Sequence, residues 1–104
     1  MNRFEIYMNY LSAISKASSL EGTAKRLRAV SDKTLEGKLC SDIPSVWTGK
    51  AANAFVAKGK QLRTEILKEA SSLEETARVI RSIAKRTYDT EMRALELAEM
   101  RAYS

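Results

Sequence analysis

The 104-residue chain is long enough for one domain with a modest core, and its 44% hydrophobic and 30% charged content suits a folded chain. With 18 Lys+Arg against 13 Asp+Glu it carries +5, and its pI is near 9.5. The absence of histidine and a single cysteine, Cys40, exclude the commonest general base, an internal disulfide and a cysteine-built zinc site. Composition thus points away from an enzyme and toward a small helical interaction protein with no cofactor.

In chain order, the opening residues Met1-Asn2-Arg3-Phe4-Glu5 turn polar too soon for a signal-peptide core. No run approaches the ~20 apolar residues of a membrane span. The expected location is the cytoplasm, with any export by a route that reads no signal peptide. The first predicted element is a helix over residues 3–37. Tyr7, Tyr10, Ile14, Ala17, Ala24, Leu27 and Leu35 recur at helical spacing, with Leu11 and Val30 alongside. The small residues Ala13, Ala17 and Ala24 would admit a partner helix closely.

A loop over 38–48 follows, because the breakers Gly37, Pro44 and Gly49 cluster there. Gly37 suits the left-handed residue that ends a helix, and Thr48 suits the N-cap of the next. Gly49 fits a tight helix entry or a close backbone approach. Cys40 is expected to be an idle thiol or a small buried group. The second helix spans 49–101, with Ala52, Phe55, Leu62, Ile66, Leu73, Ile80 and Ile83 on one stripe. Val56, Ala70, Ala77 and Ala84 widen that stripe. No further breaker cluster occurs, so residues 1–104 read as a single domain.

Two helices of this length joined by a short loop predict an all-α fold, an antiparallel two-helix hairpin. With the turn centred near residue 45, facing positions sum to about 90. That register sets Leu27 opposite Leu62 and Tyr10 opposite Ile80, and residues past about 88 overhang the first helix. Each helix has an apolar arc wider than one seam, so pairing with another hairpin into a four-helix bundle is expected. The expected partner interface is Tyr10, Ile14, Leu27, Phe55, Leu62, Ile66, Leu73, Ile80, Ile83, Met92 and Leu95. The same register gathers Lys25, Arg26 and Arg28 with Lys58, Lys60 and Arg63. Such a cluster suits an acidic partner helix or phosphates, and equally a solvated helical face. A small basic nucleic-acid-associated protein is therefore the alternative, disfavoured because no aromatic residues alternate with these charges. No catalytic constellation is present: Glu74 and Glu75 point apart on a helix, and no serine has a partner base.

Trp47-Thr48-Gly49 sits between the two helices and continues into Ala51-Ala52 and Phe55. This package resembles the WXG-motif (ESAT-like) family of type VII secretion proteins, over the whole chain. The resemblance implies a helical hairpin that forms homodimers or heterodimers, with Trp47 and Gly49 as part of a recognition surface. The family's second signal is a tyrosine followed four residues later by an acid. Here Tyr88 is followed by Glu91 at the third position and Met92 at the fourth, so the usual spacing is missing. That departure favours a chain that relies on a partner for targeting. By resemblance, the partner is another helical hairpin protein or the N-terminal helical domain of a larger LXG-type toxin, and the complex meets the type VII secretion machinery. The recognition residues so implied are Trp47, Gly49, Tyr88 and Glu91.

Overall fold

The computed structural model describes residues 1–36 and 49–103, all of them in or beside helices, with no strand among them. Helix α1 spans Arg3–Val30 and continues as a π-helical stretch over Ser31–Glu36; helix α2 spans Lys50–Tyr103. Gly37, Cys40, Pro44, Trp47 and Thr48 lie outside the described residues. No described helix is long and apolar enough to cross a membrane.

Local chemistry explains where the helices begin. The Glu5 amide donates to Asn2 Oδ1 at 2.8 Å, and the Asn2 side-chain amide reaches back to Glu5 Oε1 at 3.4 Å. The first bond satisfies the Glu5 amide, which the first turn leaves without a backbone partner, and the second ties the two side chains together. At α2 the Asn53 amide donates to the Gly49 carbonyl at 3.1 Å, which makes Gly49 the N-cap residue.

The described chain divides into two compact units, one of Met1–Glu21 with Glu75–Ser104 and one of Gly22–Glu74. In the first, Arg3 pairs with Glu99 at 3.0 Å, Tyr10 packs on Tyr88 with ring centroids 5.2 Å apart, and Arg81 pairs with Glu21 at 2.6 Å. The order of partners reverses along the two segments, so they run antiparallel. Ile6, Ala17, Ala77 and Ala84 form the buried core of this unit. In the second unit Arg28 pairs with Glu74 at 2.6 Å and Arg63 with Asp32 at 3.7 Å. Its buried residues are Ala24, Ser31, Gly59 and Ala70.

Most of the buried positions repeat every seven residues: Ala17 and Ala24 on α1 with Ser31 just past its end, and Ala70, Ala77 and Ala84 on α2. A seam of small residues lets helix axes come to the lower end of the usual separation of about 8–10 Å. It also leaves most of the larger apolar side chains, Ile6 excepted, outside the fully buried positions. Phe55, Leu62 and Ile83, expected on the buried stripe, are 42%, 46% and 50% exposed. Ser31 occupies the last seat of the α1 row, where α-helix gives way to π-helix.

The facing register also differs from the loop-centred expectation. Tyr10 packs on Tyr88, two turns beyond Ile80, and Arg28 meets Glu74 and not the level of Leu62. A register centred on the loop would set Arg28 level with Leu62 and Arg81 level with Asn9. The observed one places both guanidiniums on carboxylates, and opposite charges beside a seam fix alignment in this way. Three consequences follow for the expected layout. The tail past residue 88 does not overhang α1, because pairing continues to Glu99 opposite Arg3, with Met92 and Leu95 half-buried. The two basic triplets are not level as the loop-centred register would set them, since Arg28 meets Glu74 and Arg63 meets Asp32. The first helix, expected over residues 3–37, keeps α-helical bonding to Val30 and is π-helical over Ser31–Glu36.

Candidate functional site

The alanine row of α2 separates two flanks that the chain treats differently. On one flank stand Glu74, Arg81 and Tyr88, seven residues apart, and each takes a partner from α1 within its own unit. Arg28 Nη2 donates to Glu74 Oε1 at 2.6 Å and to Ser71 Oγ at 3.1 Å. Arg81 Nη2 donates to Glu21 Oε1 at 2.6 Å and to Ser18 Oγ at 3.0 Å, while Tyr88 stacks at a tilt of 48° on Tyr10. The hydrogen bond to Glu74, partly offset by desolvation, raises the Arg28 guanidinium above its ordinary range, and Glu21 does the same for Arg81. A guanidinium raised in this way stays charged through the neutral range and gives up its proton only in strong alkali. Near neutral pH these pairs therefore act as fixed clamps and not as pH switches.

The other flank carries Thr76, Ile83, Thr90 and Leu97, again seven apart and all within the first unit. Here, among the described residues, α1 supplies no ion pair. Ile83 lines an apolar groove of about 250 Å³ that also takes in both rings of the Tyr10–Tyr88 pair, with Ile6, Asn9, Ala13, Ile80, Ala84, Thr87 and Glu91. Ala13 and Ala84 contribute small side chains to its lining, and Ile80 and Ile83 branched ones. Glu91 stands half-buried at the rim, and among the described residues no cation pairs with it.

The residues expected to contact a partner are distributed unevenly. Tyr10, Ile80, Ile83, Tyr88 and Glu91 come together around the groove. Met92 and Leu95 are half-buried further along α2, and Ile14, Leu27, Ile66 and Leu73 are half-buried elsewhere on the two helices. Phe55 and Leu62 stand exposed in the second unit. Trp47 lies outside the described residues, so the Trp-x-Gly package is represented by Gly49 alone. Its φ of +70° lies in the left-handed region, and a Cβ there would meet nothing within 4 Å. Backbone shape at the entry to α2, and not close packing, therefore calls for glycine. Gly49→Ala should lower stability by about 1 kcal/mol in thermal denaturation, because an L-residue is strained at that φ. An unchanged melting curve would mean that the entry to α2 relaxes without cost.

The cross-helix clamps Glu21–Arg81 and Arg28–Glu74 carried a sequence signal that apolar periodicity does not register. Glu21 and Arg28 are seven residues apart on α1, Glu74 and Arg81 are seven apart on α2, and the charges invert between the pairs. Phe4 and Met8 form a further exposed apolar strip near the start of α1, with Phe4 69% exposed. Comparison with protein-family models, with curated proteins and with solved structures returns no match.

Proposed function

We propose that this chain is a WXG-like partner protein of type VII secretion. Its two helices form a hairpin that pairs with another helical hairpin, or with the N-terminal helical domain of a larger LXG-type toxin, as a four-helix bundle. Its mechanism is binding and escort, not catalysis. The observation that carries the reading is the placement of apolar bulk: alanines fill the seam, while Phe4, Tyr7, Ile83 and Leu97 remain about half-exposed or more. A chain that fills its own seam with the smallest side chains and leaves aromatic and branched ones outside has surface to bury on something else. The split Tyr88-to-Glu91 spacing supports a chain that travels with its partner and not alone.

Co-purification from the native host tests this directly. The tagged chain should bring down one helical protein in equimolar amount, and deleting the chain should stop that protein from reaching the medium. A chain that sediments as a stable monomer and co-purifies nothing rejects the proposal. Steep salt-dependent binding to random duplex would instead favour the nucleic-acid alternative. The offset of the two basic triplets weighs against that outcome.

A further inference from the structure

We infer that the groove beside Ile83 docks one helix of a different chain, and that this helix carries a lysine or arginine two turns from its apolar anchor, aimed at Glu91. The inference rests on the partner-protein reading above and narrows the chemistry of that partner.

Three features of the first unit converge on it. Arg81 with Glu21 and Ser18 clamps the two segments beside the groove, whereas around the groove itself, which shares the Tyr10 and Tyr88 rings, no ion pair between α1 and α2 occurs among the described residues. The hollow of about 250 Å³ accepts one or two aliphatic side chains between Ala13 and Ile80, which suits the ridge of a helix laid in a groove. Glu91 then sets the charge. It lines the same groove, is half-buried, and has no cation partner among the described residues, although the carboxylates of Glu21 and Glu74 each hold an arginine.

Spacing follows from helix geometry. Ile83 and Glu91 are eight residues apart on α2, about 12 Å at 1.5 Å per residue. A helix that seats its anchor beside Ile83 therefore reaches Glu91 with a side chain seven or eight positions away. A second copy of this chain is the poorer occupant, because each copy brings +5 and like net charge opposes approach.

Two synthetic helical peptides of about 25 residues test the assignment on the full-length chain by fluorescence anisotropy. Both carry leucines four apart; one has lysine eight positions further on, the other glutamate. The lysine peptide should bind about tenfold more tightly. Glu91→Lys should reverse the preference with helicity unchanged by circular dichroism, and Ile83→Asp should weaken both peptides. No binding to either peptide, equal affinities, or a preference that Glu91→Lys leaves in place overturns the inference. A concentration-dependent dimer that Ile83→Asp dissociates puts a second copy in the groove and overturns it too. A native partner that co-purifies equally with wild type and Ile83→Asp leaves the partner-protein reading standing while removing the groove as its site. Peptides that behave as stated, with no protein co-purifying, support the groove and reject the secretion reading.

Discussion

Ala17→Leu should destabilise the protein by about 3 kcal/mol, the upper end of the usual cost of overpacking. Ala17 is fully buried, and Ala84 in the same unit is 8% exposed on the facing row. Leucine adds three carbons at a fully buried position in a row of small residues, where a close-packed interior leaves few voids to take them. To admit it the segments must separate, and separation stretches the bonds from Arg81 to Glu21 and Ser18 and the contact of Tyr10 with Tyr88. Hydrophobicity alone gives the opposite sign, since leucine would enrich an apolar stripe. Urea denaturation measures the difference as a shift in midpoint at constant slope. Ala13→Leu, at the edge of the groove, is the control, because open volume lies beside it and its cost should be well under half as large. Should Ala17→Leu match or exceed wild-type stability, the seam does not depend on small residues.

That sign reversal marks what the sequence made legible and what it hid. The long period of the second helix and the position of the breakers around Pro44 were enough to predict an all-helical chain and a second helix over 49–101, where α2 runs Lys50–Tyr103. Which residues form the seam was not legible, because hydropathy ranks Leu62 and Ile83 above Ala70 and Ala77. Burial ranks them in reverse: the two alanines are fully buried and the two larger residues about half-exposed. Close helix packing selects for small size as well as for apolarity, and an apolar count cannot separate the two demands. The register was hidden for a related reason. A loop midpoint constrains it only within a few turns, whereas the inverted charges of Glu21 with Arg28 and Glu74 with Arg81 fix it. The groove depends on both errors being corrected, since only the observed register brings Tyr10 beside Tyr88 and leaves Glu91 at the rim.

Tyr88→Ala should cost about 2–3 kcal/mol, whereas Tyr88→Phe should stay close to wild type in stability. The ring of Tyr88 is half-buried, packs on Tyr10 at 5.2 Å and forms part of the groove wall, so truncation removes contact on both sides. Tilted ring pairs add about 0.5–1.5 kcal/mol beyond area, so a double-mutant cycle with Tyr10→Ala should return a coupling of about 1 kcal/mol. The phenylalanine variant separates packing from recognition. It keeps the ring and deletes the hydroxyl, for which no hydrogen bond occurs among the described residues. If the Tyr88-to-Glu91 segment carries an export address, Tyr88→Phe should fold, bind its partner and yet reach the medium poorly. If the tyrosine serves the seam alone, export should follow stability across the three variants, with Tyr88→Ala falling and Tyr88→Phe unchanged. The ring is therefore structural in either case, and the hydroxyl is the part of this residue that the export assay judges.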